Sequence, residues 1–237
     1  MVGCSLRLPP KEAKPPAPGD PARGPVAWWK LDETEGMEAA DASGHHMVAR
    51  LQGTAHWKPG QGKLSGALEL DGARGYVEGA DVPEFGFRDR MTVSLWIKAG
   101  GSKKTPQTLI AKGNDTWQLY AEGDQGQLVF AITGPRPTGK DKSKAMRVTT
   151  KRAVGDGQWH HVVGLYDGQR VAVYVDGALD GSVAASGPLA LNTEPVWLGD
   201  NSAARGECFQ GLLDDVRLFS YALSEEEIKA LNRTDAK

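Results

Sequence analysis

Gly157-Gln158-Trp159-His160-His161-Val162-Val163-Gly164-Leu165-Tyr166-Asp167-Gly168-Gln169-Arg170-Val171-Ala172-Val173-Tyr174-Val175-Asp176-Gly177 is the stretch whose reading decides the fold. Two β-rich runs flank Asp167-Gly168, and a second Asp-Gly closes the later run. Asp-Gly between such runs marks a hairpin, because the turn needs a positive φ. A third short run, residues 179–184, follows, so the segment reads as a three-stranded antiparallel meander. The period-2 rule puts Val171, Val173 and Val175 on one face and Ala172 and Tyr174 on the other. Both faces are largely apolar, which predicts a strand covered on both sides, inside a layered sandwich.

The whole chain is compatible with that reading. Its 237 residues suffice for one large all-β domain. The 30 glycines and 14 prolines suit many short strands joined by turns. A formal charge of −2 and a pI near 6.2 give no basic field, so no nucleic acid is expected as a partner. No apolar run reaches the ~18 residues of a membrane-spanning helix. Two cysteines, Cys4 and Cys208, make no disulfide framework, although one bridge between them stays open.

Residues 1–25 are a different material. Lys11-Glu12-Ala13-Lys14-Pro15-Pro16-Ala17-Pro18-Gly19-Asp20-Pro21 is dense in proline and has no apolar periodicity. It predicts a disordered tether, with the domain occupying 26–237. Met1-Val2-Gly3-Cys4 resembles the tail of a bacterial lipoprotein signal, which would make Cys4 a lipidation site, though the signal's basic and apolar regions are absent. The alternative is an incidental cysteine in a disordered terminus.

Strands are predicted at 26–31, 48–51, 67–70, 76–78 and 91–98, where Met91, Val93, Leu95 and Ile97 alternate with Thr92, Ser94, Trp96 and Lys98. Further strands are predicted at 108–112, 117–122, 127–133 and 145–150. The segment 53–63, with Trp57 in it, reads as loop, and so does 134–143. Trp197-Leu198-Gly199 follows the meander, and 211–219 is the last strand. Ser224 with Glu227 is a capping box that starts a short terminal helix, with Ile228 and Leu231 on its docking face. The sum is about a dozen strands and one helix.

Seven motifs stand in one order: Trp28-x-x-Leu31-Asp32-Glu33-x-x-Gly36; Asp41-x-Ser43-Gly44; Ala67-Leu68-Glu69-Leu70-Asp71-Gly72; Thr92-Val93-Ser94-Leu95-Trp96-Ile97; Gly157-x-Trp159-His160-His161-Val162; Tyr174-Val175-Asp176-Gly177; and Gly211-x-x-Asp214-Asp215-Val216-Arg217. Together they resemble the laminin-G-like family of the concanavalin A-like lectin/glucanase superfamily, over residues 26–233. The resemblance implies an all-β, two-sheet antiparallel jelly-roll sandwich with a short C-terminal helix. It does not imply one function, since this fold carries lectins, adhesion modules and glycosidases.

The candidate sites are few. His160 and His161 are adjacent on a strand and point to opposite faces, so they cannot share one ion. Trp28, Trp96, Trp117 and Trp159 read as core rather than as sugar platforms. Glu69 and Asp71 share a strand face, as paired glycosidase carboxylates would. Gly72 and Ala73 follow them where related glucanases carry a third acid, so catalytic residues are expected to be none. Cys208 reads as a partly buried thiol with no activating neighbour. The resemblance also implies a structural calcium between the first turn and the last strand. Asp214 matches the family's ligand, Asp41 is its expected partner, and Asp32 is a weaker one. Alternation would place Asp215 and Arg217 together on a solvated face and leave Asp214 among apolar neighbours. Without metal, Asp214 would accept backbone amides of the N-terminal turn.

The expected function is a non-catalytic binding or adhesion module that recognises carbohydrate or protein, exported to the bacterial cell envelope or outside the cell. A glycoside hydrolase on the same fold and a structural domain of an envelope assembly are the alternatives. The loops around 100–106 and 134–144 are expected to select the glycan or surface protein.

Overall fold

The computed structural model describes residues 24–100, 106–137 and 145–233. Nearly all of the predicted tether, Cys4, and the loop segments 101–105 and 138–144 lie outside the described residues. In chain order the strands are β1 Ala27–Trp29, β2 Glu38–Ala39, β3 Ala49–Gln52, β4 His56–Lys58, β5 Ala67–Asp71 and β6 Tyr76–Glu78. A 3₁₀ turn, Pro83–Phe85, leads into β7 Met91–Ala99, β8 Gln107–Ala111, β9 Trp117–Glu122, β10 Gln127–Thr133 and β11 Arg136–Pro137. The second half holds β12 Ala145–Ala153, β13 Trp159–Tyr166, β14 Arg170–Val175, β15 Ala178–Ser186, β16 Trp197–Leu198 and β17 Gln210–Phe219, then helix α1 Glu225–Asn232.

These strands form two antiparallel sheets packed as a jelly-roll sandwich. One runs β11-β15-β14-β13-β7-β17-β5-β4, with β1 also paired to β17, and has nine strands. The other has eight, in the order β12-β10-β9-β8-β16-β6-β3-β2. The meander is β13, β14 and β15, as the opening stretch predicts. Its two Asp-Gly turns differ. Asp176 and Gly177 both have positive φ (53° and 75°) and join Val175 directly to Ala178, a two-residue hairpin. At the first turn only Gly168 is positive. Tyr166 pairs with Val171 across a four-residue loop, and the Asp167 carboxylate accepts the amides of Gln169 and Arg170.

The core lies between the sheets. Val171, Val173 and Val175 face it, with Trp29, Trp117 and Phe130 among its fully or nearly fully buried residues. At Gly164 the sheets approach closely: a Cβ there would sit 2.5 Å from the Phe130 ring, so only glycine fits. The far face of the meander is covered too. Ala172 and Tyr174 join Val163, Leu165, Phe219 and Ile228 in a second apolar cluster beneath α1. That helix starts at Ser224 with the predicted capping box, in which Ser224 and Glu227 satisfy each other's amides.

Several expectations are corrected by the strand pairing. Residues 56–58 are not loop; they pair with β5 and bury Trp57. Trp28 and Trp159 are only half-buried, so they are not core residues. Trp28 stands on the outer face of the nine-stranded sheet, between the Lys30 ammonium (4.8 Å) and the Arg217 guanidinium (4.3 Å). Simple alternation also fails in β17. The pairing with β7 shifts between Asp214 and Arg217, and Asp215 adopts φ 51°, which marks a β-bulge. Asp215 and Arg217 do pair at 2.9 Å, but their side chains are only 5% and 14% exposed, not on a solvated face.

One buried cation ties loops to the second sheet. The Lys112 side chain, 2% exposed, donates to the Asp81 carboxylate (2.6 Å) and the Glu194 carbonyl (2.5 Å). Asp81 is 39% exposed. The pair is therefore asymmetric. Asp81→Ala strands an ammonium without water and is expected to lose about 3 kcal/mol. Lys112→Met leaves a carboxylate that water still reaches and should lose only about 1 kcal/mol. Urea midpoints of the two variants check the order; equal losses would contradict it.

Candidate functional site

The sequence-predicted acids separate into two settings. Asp41 has no free lone pair to offer. Its Oδ1 accepts the amides of Trp28 and Ser43, and its Oδ2 accepts the Met47 amide and the Ser43 hydroxyl, all within 2.9 Å. These bonds hold its carboxyl below the usual range against the opposing effect of burial. Asp214 is fully buried, and its Oδ2 accepts the Leu64 amide at 2.9 Å. Its Oδ1 has no hydrogen-bond partner. Burial pushes the Asp214 carboxyl up to about 7; the Leu64 amide opposes this, and the charges of Asp215 and Asp32 add to it.

The loop at 62–66 makes this pocket. A Cβ on Gly62 would lie 1.8 Å from the Gly66 carbonyl oxygen and 2.8 Å from Asp214 Oδ2. Gly66 in turn donates its amide to Asp32 Oδ1 at 2.7 Å. Asp214 therefore shares its surroundings with Asp32 rather than with Asp41. Among the described residues no group of three or more His, Cys, Asp or Glu is gathered as a metal cluster. The orphaned Asp214 oxygen beside a second carboxylate fits a calcium ion whose remaining ligands are carbonyls and water; Asp41, with its oxygens filled, does not fit.

The other acidic and histidine candidates are structural. Glu69 pairs with His56 (2.6 Å) and Lys58 (2.9 Å), while Asp71 accepts the Thr54 hydroxyl and three amides of its own turn. His160 lies between Asp176 (2.9 Å) and Asp156 (3.1 Å). His161 shares a 2.9 Å bond between its Nε2 and the Ser94 hydroxyl, which looks like part of a nucleophile–base pair. Burial, helped by the Arg217 charge, drives its pKa down to about 3, and its Nδ1 has no partner. A base of that kind needs a group that orients Nδ1 and an open approach. His161 is 1% exposed, packed against Trp96 at 5.1 Å. Cys208 is buried and its Sγ donates to the Ala73 carbonyl at 3.1 Å.

The outer face of the eight-stranded sheet is where side chains gather without an obvious structural duty. In β9, Gln118, Tyr120 and Glu122 alternate with the core residues Trp117, Leu119 and Ala121. Tyr76 of β6 and Trp197 of β16 stack there with centroids 4.3 Å apart and planes 26° from parallel. The loop 199–207 folds beside them. Asn201 donates its side-chain amide to Asn114 Oδ1 (2.7 Å) and Gln118 Oε1 (3.3 Å). The buried Asp200 carboxylate accepts the amides of Asn201 and Gly206 and pairs with Arg205 at 3.2 Å. Burial raises the Glu207 carboxyl; the Thr108 hydroxyl opposes this, and the Asp200 charge adds to it. Farther along, Arg147 spans Tyr120 (5.7 Å) and Glu122 (3.0 Å) and leads into a cleft of about 520 Å³ between β12 and β15. Thr149, Lys151, Asp180 and Ser182 line that cleft with it.

None of this cluster was singled out from the sequence. The signal available was the outward half of each alternation, such as Tyr76-Val77-Glu78 and Gln118-Leu119-Tyr120. Sequence spacing alone cannot show that residues 76, 118, 197 and 201 meet.

Similarity to known proteins places the chain. Residues 71–229 match the model of the concanavalin A-like lectin/glucanases superfamily of laminin G type. Human pappalysin-1 is 28% identical over 160 residues, which is 60% of this chain but 9% of that protein. The human laminin subunit alpha-3 is 32% identical over 117 residues, 46% of this chain and 3% of that protein. The chain thus spans under a tenth of the length of these curated relatives. Among solved structures, domain 4 of AbnA, a GH43 extracellular arabinanase from Geobacillus stearothermophilus solved with arabinotriose, superposes with a TM-score of 0.68 at 20% identity, covering 89% of this chain and 99% of that one. The binding domain of Paraclostridial Mosquitocidal Protein 1 gives 0.69 at 16%, covering 88% and 52%. The binding domain of botulinum neurotoxin DC in complex with SialylT gives 0.68 at 14%, covering 89% and 51%. The chain belongs to the concanavalin A-like lectin/glucanases superfamily, whose laminin G-type model matches more than half of it, and its two-sheet jelly roll agrees.

Proposed function

We propose that this domain is a non-catalytic carbohydrate-binding module that works outside the cell. The observation that carries the reading is the outer face of the eight-stranded sheet, where an aromatic pair adjoins side-chain amides and carboxylates at one site. Sugars are recognised by that combination: an apolar ring contact plus in-plane hydrogen bonds to hydroxyls. Domain 4 of the arabinanase, the structure solved with arabinotriose, is matched over nearly its whole length, which supports the reading. A glycan array probed with the domain tests it. Binding without release of reducing ends is expected. Release of reducing ends favours a hydrolase, and silence across the array favours a structural domain.

Calcium belongs to this reading as a support for the fold rather than as a ligand contact. Asp214 and Asp32 would hold it and fasten the first turn to β17. In a metal-free preparation, millimolar calcium should raise the melting temperature over excess chelator. Superimposable melting curves would remove the ion. Cys4 is proposed as the lipid attachment point; cells fed a fatty-acid analogue should label the full-length protein, and Cys4→Ser should abolish the label.

A further inference from the structure

Arg205 caps the aromatic pair. Its guanidinium lies 4.7 Å from the Tyr76 centroid and 4.6 Å from the Trp197 centroid, over the wedge that the two rings make. Three observations set this arginine apart from a structural one. Its side chain is 56% exposed, although the rings beneath it are half-buried and buried. Among the described residues its ion pair is to Asp200, whose carboxylate keeps the amides of Asn201 and Gly206 whether or not the arginine stays on the rings. The rings it covers hold an unmet need: Trp197 Nε1 is buried with no hydrogen-bond partner, and so is the Ser202 hydroxyl in the same loop. A buried donor left unpaired is costly, and a ligand hydroxyl would relieve it.

We propose that Tyr76 and Trp197 form a subsite for a neutral sugar ring, and that Arg205 is a latch occupying this subsite until the sugar displaces it. This rests on the carbohydrate-binding reading above. Displacement is cheap on the protein's side. An exposed cation–π contact is weak, and the guanidinium can swing off the rings into water while its Nε keeps the Asp200 carboxylate, whose 3% exposure would make an unpaired charge there costly. The sugar's C–H face takes its place over the rings, and a hydroxyl reaches Trp197 Nε1. The charge balance selects a neutral ligand. Arg205 is offset by Asp200, and Glu207 and Glu78 stand on the same face, so no excess positive charge remains for a carboxylated or sulfated sugar.

The test uses Arg205→Ala, Tyr76→Ala and the unmodified domain, titrated calorimetrically with arabinotriose, cellotriose and a sialylated trisaccharide. Removing the latch should tighten binding of a neutral trisaccharide by about five-fold, the equivalent of the lost arginine–ring contacts. Tyr76→Ala should abolish that binding, with an unfolding midpoint near that of the parent showing the loss is local. Weaker or equal neutral-sugar binding by Arg205→Ala overturns the latch, while the carbohydrate reading survives. Binding of the sialylated sugar alone, lost with Arg205→Ala, also overturns it, since the arginine would then be the ligand contact. Failure of every form to bind any of the three, at millimolar sugar, overturns both the latch and the subsite.

Discussion

A Trp29→Ala domain should melt about 12 °C below the parent, while Trp28→Ala, one residue away, should lose only about a third as much. Trp29 is fully buried, meets Phe85 edge-on at 6.3 Å, and donates Nε1 to the Met47 carbonyl at 2.6 Å. Truncation removes the largest side chain from the junction of β1 with both sheets. It leaves a cavity and orphans a carbonyl, for a loss of about 4 kcal/mol. In a domain of this size each kcal/mol shifts the midpoint by about 2–4 °C. Trp28 is half-buried between Lys30 and Arg217, and its loss still leaves Asp215 paired to Arg217. Trp29→Phe should fall between the two, because the ring volume is largely kept. Equal losses for the two alanine variants in thermal melts would show that β1 does not alternate as described.

Stability in chelator should fall as pH rises from about 4 to about 7, then level off, and Asp214→Asn should flatten this slope. The Asp214 carboxyl is raised to about 7 in the fold from 3.8 in the unfolded chain. Between those values the native state holds the proton and the unfolded state has lost it. The native state binds more protons, so raising pH favours unfolding. Over about three pH units the loss is about 4 kcal/mol at most. The asparagine keeps the shape and carries no charge, so at pH 8 it should unfold at a higher denaturant concentration than the parent. Parallel pH profiles for the two proteins would contradict the buried, unpaired state of this carboxylate.

Much of the fold was legible because its signals are local. Asp176-Gly177 sits between alternating runs, and the positive φ at both positions is what those residue types allow. Ser224 and Glu227 announce a helix start, and the capping box forms. The misreadings arise where pairing overrides local pattern. Residues 56–58 alternate over only three positions, too short a run to stand out, and become a strand because β5 pairs with them. Asp215 looks like the next step of a strand, but its left-handed backbone breaks the alternation, so that Leu213 and Val216, three apart, both enter the core and Asp214 no longer shares a face with Val216. Trp28 and Trp29 are one residue type at adjacent positions, and only the pairing with β17 says which one points inward. The aromatic subsite was illegible for a related reason. Tyr76 and Trp197 are 121 positions apart in the chain, joined only by the pairing of β6 with β16.

The placement of β1 and α1 has a consequence for how the domain is displayed. β1 belongs to the nine-stranded sheet, with Val26 bonded to the Leu218 carbonyl, and α1 packs on that sheet's outer face. The first and last described elements, β1 and α1, therefore both belong to the nine-stranded side of the sandwich. Tyr76, Trp197 and their polar neighbours look the other way, from the opposite sheet. Attachments made at these two elements would leave the proposed subsite on the opposite face of the sandwich. Copies strung in series through such attachments would keep their binding faces unobstructed, and a repetitive ligand such as a polymer would meet them at a high effective concentration.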